Sequence, residues 1–200
     1  MIFLDLPDLP KQLELEILDV FALIQPDDSG RVWLENFHSD NIKVASQIYG
    51  RGEATLPIDV QDQLQATYNK FFQEPVQFII GKFENSAGYD LACLPPHCDR
   101  ERKIAINYLL ESGGANVLTC MYQQPRKQHD LTAAENDLYE NLKLDVVMCI
   151  PEKKWHVYDV QHYHSVENIE TTRSMLSIFL PSNPDVNTFK NKYTGLLKKI

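Results

Sequence analysis

Apolar residues recur at two different intervals along the chain, and the change of interval divides it. From Pro10 to Leu23, the residues Leu13, Leu15, Ile17, Leu18, Val20, Phe21 and Leu23 include helical spacings, with Pro10 suited to a first turn. The turn cluster Gln25-Pro26-Asp27-Asp28-Ser29-Gly30 follows, and Val32-Trp33-Leu34 and Ile42 to Tyr49 then read as short strands before Gly50-Arg51-Gly52. A second helix is predicted from Pro57 to Phe72, with Val60, Leu64, Tyr68, Phe71 and Phe72 on one broad face, before Pro75 ends it.

Beyond Pro75 the pattern shortens to that of strands. Val76 to Phe83, Ile104 to Leu110, Val117 to Tyr122, Leu144 to Ile150, Trp155 to Val160 and Ser174 to Leu180 are rich in β-branched and aromatic residues. Asn85-Ser86-Ala87-Gly88, Gly113-Gly114, Gln124-Pro125 and Pro151-Glu152 separate them, a spacing that predicts a β-sandwich or jelly roll. The polar segment from His129 to Leu142 reads as a partly helical excursion, and the tail beyond Pro184 as a last helix carrying Phe189, Tyr193, Leu196 and Leu197. Lys190, Lys192, Lys198 and Lys199 are expected on its exposed side. The expected class is α+β, mainly β, as a single domain over 1–200. Within it 1–75 is a helical and mixed extension, 76–181 the β-core and 182–200 the tail.

Composition narrows the class. A chain of 200 residues, 44% hydrophobic and 24% charged, fits one soluble core, and no stretch approaches the roughly 18 apolar residues of a membrane span. A net charge of −9 disfavours nucleic acid as a partner. The apolar start, Met1-Ile2-Phe3-Leu4, has no basic leader and is broken by Asp5 and Pro7, so the expected location is cytoplasmic. Cys93, Cys98, Cys120 and Cys149 show no paired metal spacing and read as reduced, small buried hydrophobes.

His97-Cys98-Asp99, just after Pro95-Pro96, carries the chemistry. A histidine and a carboxylate two residues apart on an extended strand end point the same way, so both reach one ion while Cys98 turns aside. Two imidazoles and one carboxylate on one face of an octahedral ion leave open positions. For the third ligand the chain offers His129, His156, His162 and His164. His164 is preferred, because it follows the strand from Trp155 to Val160. His162 remains a rival, since on extended backbone it shares a face with His164. Arg173 opens the apolar run that ends at Leu180, and its planar fork suits a carboxylate.

With these residues assembled, the chain resembles the Fe(II)- and 2-oxoglutarate-dependent dioxygenases, which are built on a double-stranded β-helix (jelly roll). His97 and Asp99 match the family's H-x-D, His164 its distal histidine, and Arg173 the basic residue that follows. Arg102, Tyr108-Leu109 and Gly113-Gly114-Ala115-Asn116-Val117 resemble the strand and hairpin of the prolyl-4-hydroxylase-like branch. The likeness spans about residues 76 to 181, and the N-terminal helices would support the sheet.

The resemblance implies Fe(II) held by His97, Asp99 and His164, with 2-oxoglutarate chelating through its keto acid end and O2 as oxidant. Arg173 would anchor the far carboxylate of that cosubstrate. Where the family often has serine or threonine two residues later, this chain has Met175, so Tyr108 becomes the second candidate for the carboxylate. Ser177 is next on the same strand face, and Asn107 would face the other sheet surface. Ascorbate is a further small molecule that the resemblance brings. The implied activity is hydroxylation of a peptidyl side chain such as proline, or of a small molecule. Asn85 to Leu94 and Gln123 to Leu142 are the expected lids, and Tyr89, Tyr122, Trp155 and Tyr158 are aromatics that could line the pocket or fill the core. The alternative is a cupin-like metal-binding jelly roll without oxygenase activity.

Overall fold

The β-rich half of the chain closes into two sheets laid face to face. A computed structural model describes residues 1–23, 43–44, 46–49, 56–84, 92–99, 102–125 and 142–198. Its strands are β1 (Ile2–Phe3), β2 (Lys43–Val44), β3 (Ser46–Tyr49), β4 (Gln77–Glu84), β5 (Ala92–His97), β6 (Ile104–Ser112), β7 (Leu118–Pro125), β8 (Leu144–Met148), β9 (Trp155–Asp159), β10 (His162–Ile169) and β11 (Arg173–Phe179). Its α-helices are α1 (Lys11–Leu23), α2 (Ile58–Tyr68) and α3 (Val186–Lys192). One sheet has the order β1-β9-β6-β11-β4-β3 and the other β2-β5-β10-β7-β8. From β4 to β11 the chain changes sheet at every connection except β7 to β8. The pairing is antiparallel apart from β2 on β5.

Strand alternation sorts the six-stranded sheet into two faces. Ile80, Ile106, Tyr108, Trp155, Val157, Leu176 and Ile178 point outward, where Leu13, Ile17, Val60, Leu64, Tyr68 and Phe189 of the helices cover them. Burying each such side chain contributes about 1.5–3 kcal/mol relative to leaving it exposed. Two polar atoms in this layer share one acceptor: the Trp155 indole N–H and the Tyr68 hydroxyl donate to the Pro7 carbonyl at 3.0 and 3.1 Å.

The inner face is mixed. Ala105 packs with Met121, Tyr158 and Val160, while Val117, Val166 and Ile169 form a second cluster against Leu94 and Met175. Between these clusters lie buried polar side chains, among them Asn107, Thr119, His156, His164, Arg173 and Ser177.

The helices fall where periodicity placed them, with α2 running into a 3-10 turn over Asn69–Phe71. The predicted strand at 32–34, the excursion at 129–141 and most of the lid at 85–91 lie outside the described residues. The stretch from Ile42 to Tyr49 is two strands in different sheets, not one. Three strands were not predicted: β5, β10 and the two-residue β1. β5 contains Pro95-Pro96, which is tolerated because its pairing with β10 slips between Val166↔Leu94 and His164↔His97, giving β5 one extra residue. β10 reads as polar because its inward positions bear His162, His164 and Val166 rather than a run of apolar residues.

The expected glycine hairpin is instead a crossover, since β6 and β7 belong to different sheets. Gly113 sits at φ 88°, and a Cβ there would stand 3.0 Å from Arg173 Cβ, so this position needs glycine for both conformation and space.

Candidate metal centre

Antiparallel pairing of β5 with β10 sets His97 directly opposite His164, with ring centroids 4.3 Å apart. Asp99 lies two residues beyond the end of β5, where its backbone N–H donates to the Val160 carbonyl at 3.0 Å. Asp99 Oδ1 is 3.8 Å from His97 Nε2 and 3.9 Å from His164 Nε2. One ligand atom from each of the three residues lies within 4.8 Å of the others. Donors bound ~2.1 Å from one ion on a shared face stand ~3–3.5 Å apart, so the three side chains would draw together to hold one.

Local hydrogen bonds choose which atoms face inward. His164 Nδ1 lies 3.1 Å from the His162 carbonyl, so Nδ1 carries the proton and Nε2 presents its lone pair to the cluster. Burial first, and then neighbouring His97, hold the His164 pKa down to about 3, so the ring is neutral and competent to bind metal. Burial also pushes the Asp99 carboxyl up, but Arg102, followed by the two histidines, outweighs it and holds Asp99 below its ordinary value. Arg102 Nε donates to Asp99 Oδ2 at 2.5 Å.

Arg173 lies deeper between the sheets and is 4% exposed. Its Nη1 donates to the Ser112 carbonyl at 2.9 Å and its Nη2 to the Thr119 hydroxyl at 3.3 Å, while Nε is buried without a partner. Burial pulls the guanidinium down to about 10, yet it stays charged at neutral pH. Among the described residues, no carboxylate stands within ion-pair distance of it.

The structure thus brings His97, Asp99 and His164 together and places Arg173 on the same inner layer. Tyr108 requires correction: it lies on the opposite face of β6, its ring 5.1 Å from Trp155 and its hydroxyl accepting from the Leu9 N–H at 3.4 Å. Strand alternation puts it with Ile106 and Leu110, and the inward residue at this level is Asn107. Ser177 donates to Asn107 Oδ1 at 2.7 Å, and Asn107 Nδ2 donates to the Tyr158 hydroxyl at 3.4 Å. His162 stands outside the cluster, its Nδ1 3.2 Å from Asp159 Oδ2. His156 is buried on β9 with its ring stacked on Tyr158, and His129 lies outside the described residues.

Of the three aromatics among the described residues, Tyr158 is the one whose ring meets the cluster, edge-on to His164 at 5.6 Å. Trp155 belongs to the helix-covered core. Tyr122 hydrogen-bonds Ser165 and Glu167, and Tyr89 lies outside the described residues. Thr119 and Gln161 were not anticipated; their roles depend on sheet-to-sheet distance and turn geometry, which leave no mark in spacing.

No protein-family model matches the chain, and no curated protein matches it in sequence. Among solved structures it is similar to AviO1 from Streptomyces viridochromogenes Tue57, with 15% identity, a TM-score of 0.50 and 90% of each chain covered. That likeness shows a shared fold. No helix among the described residues is long and apolar enough to cross a membrane.

Proposed function

We propose that the chain is an Fe(II)- and 2-oxoglutarate-dependent oxygenase on a double-stranded β-helix, with residues 76–181 as the catalytic core and 1–75 as its buttress. One observation carries the reading: Arg173 is a buried cation with an unpartnered Nε, on the inner layer that also holds an open His-Asp-His cluster. An unpaired buried charge is costly, and an anionic ligand that pairs with it relieves that cost.

Register supports a ligand of definite length. His164 pairs with Met121, and Val166, the next inward residue of β10, pairs with Thr119, the partner of Arg173 Nη2. Two residues of strand span ~7 Å, close to the reach of a short dicarboxylate whose one end is at the triad and whose other end is at the guanidinium. The donor set also fits: two neutral imidazoles and one carboxylate suit Fe(II) and leave open positions. The alternation of consecutive strands between two sheets supports the β-helix.

His97 and His164 would offer Nε2, and Asp99 Oδ1, to the metal, with Arg173 holding the far carboxylate of the diacid. Fe(II) with 2-oxoglutarate supplies the oxidising chemistry, in which the diacid loses carbon dioxide to give succinate and the second oxygen atom of O2 goes to a substrate C–H bond. Asp99 acts as a ligand rather than a base, because Arg102 favours its ionised form. The Tyr158 ring, edge-on to His164, covers one side of that ligand. The prolyl-4-hydroxylase-like resemblance supports a peptidyl side chain as substrate.

The test is production of succinate from 2-oxoglutarate that requires both Fe(II) and O2. Protein that binds the metal but leaves 2-oxoglutarate unchanged would be the cupin-like alternative and would overturn the proposal.

A further inference from the structure

The two carboxylate oxygens of Asp99 face different partners. Oδ1 is the atom that stands 3.8 and 3.9 Å from the two histidine Nε2 atoms. Oδ2 accepts from Arg102 Nε. Both side chains are shielded, at 12% and 19% exposed, so solvent screens this ion pair less than it would on an open surface.

Backbone contacts hold the two residues in that arrangement. Gln161 Nε2 donates to the Arg102 carbonyl at 2.9 Å and to the Asp99 carbonyl at 3.3 Å, stapling both ends of the segment 99–102 to the turn between β9 and β10. On either side of this staple, Asp99 N donates to the Val160 carbonyl and Val160 N to the Lys103 carbonyl, at 3.0 and 3.1 Å. The turn is itself fixed by the Gln161 N–H donating to Asp159 Oδ1 at 2.8 Å. It then runs straight into β10 and His164, so one frame positions a carboxylate, its arginine and a histidine together.

We propose that Arg102 is a positioning residue that makes Asp99 a one-oxygen metal ligand, with Gln161 holding Arg102 in place. A carboxylate free to turn can bind an ion through both oxygens, as Asp and Glu do elsewhere. With Oδ2 committed to Arg102, each of the three residues would offer a bound ion one atom and leave its other positions open. The inference rests on the metal site of the proposed function and not on its cosubstrate.

Co(II) added alone to the full-length protein is the probe, because its visible absorption reports coordination number and symmetry without turnover. Arg102→Met, which keeps an apolar stem and removes the donor, is expected to change the shape and intensity of the bound Co(II) spectrum. It should also weaken Co(II) binding by roughly 10–100-fold, the usual effect of losing an outer partner of a ligand. Arg102→Lys, retaining a cationic donor, is expected to restore the spectrum towards wild type. Gln161→Leu, which leaves Arg102 in the chain, should move the spectrum in the same direction as Arg102→Met and serves if the latter fails to fold. Folded variants at either position with the wild-type spectrum and affinity would overturn the role of Arg102 and leave the metal site standing. Wild-type protein that takes up no Co(II) would overturn both.

Discussion

Arg173 on β11 donates through Nη2 to the Thr119 hydroxyl on β7 at 3.3 Å, so a cation from one sheet reaches the inner surface of the other. Burial lowers the pKa of that cation, and the Tyr158 hydroxyl, whose ring neighbours His164, opposes the shift. Such a guanidinium has neutral hydrogen-bond acceptors and no carboxylate among the described residues, which is the arrangement expected of an anion site before its anion arrives.

Replacing Arg173 with Met should therefore separate binding from folding. The flexible thioether fills the stem volume without a buried charge, so the melting temperature is expected to stay within a few degrees of wild type. Divalent metal binding should be retained, while affinity for 2-oxoglutarate falls by about 100-fold, the factor for ~3 kcal/mol of charge-assisted hydrogen bonding. Titration calorimetry with metal and then with 2-oxoglutarate measures both. Equal affinity for the diacid in the variant would remove Arg173 from the site.

His156 predicts an acid-sensitive fold. Burial, opposed by the Lys154 carbonyl and reinforced by Arg173, holds its pKa down to about 4 against an ordinary value of 6.5. The unfolded chain then takes up the proton first, so this contribution to stability is complete above pH 6.5 and is lost as pH falls from 6.5 towards 4. For a fully buried ring the loss is about 3 kcal/mol. In metal-free protein, urea unfolding at pH 7.5 and 4.5 should show a loss smaller by about 2–3 kcal/mol in His156→Phe than in wild type. An identical loss in both would contradict the assignment.

Glu74 ties the C-terminal helix to the β-core. Its Oε2 accepts from Ser182 N at 2.7 Å, and its Oε1 accepts from Ser182 Oγ, Lys192 Nζ and Tyr193 OH at 2.6, 3.0 and 3.1 Å. Removing that acceptor leaves Tyr193, packed 5.4 Å from the Phe72 ring, without its hydroxyl partner. Glu74→Ala is expected to cost about 2 kcal/mol and to speed amide exchange in α3 (Val186–Lys192). Unchanged stability would show that apolar packing alone holds the helix.

Much of this was readable in the sequence, and the failures share a cause. Helices α1 and α2 announced themselves because Leu13 and Ile17, and Val60, Leu64 and Tyr68, repeat with the helical period and are buried. His97 and Asp99 were visible because two residues of strand return to the same side. β10 was hidden by its own composition, since His162 and His164 occupy positions where a plain strand would show apolar residues. Tyr108 was misplaced by a single residue: the family likeness drew attention to it, but one step along a strand reverses the face, and Asn107 is the inward residue. The link from Gln161 to Arg102 depends on a turn joining distant strands, and no local pattern encodes it.

The proposed function requires that the cluster of His97, Asp99 and His164 and the buried Arg173 together bind a metal chelated by 2-oxoglutarate. Adding Fe(II) and 2-oxoglutarate to the protein without oxygen, and recording the visible spectrum, tests it most directly. A metal-to-ligand charge-transfer band is expected that appears only when both are present and disappears in His164→Ala. Folded wild-type protein that gives no such band at saturating Fe(II) and 2-oxoglutarate would contradict it.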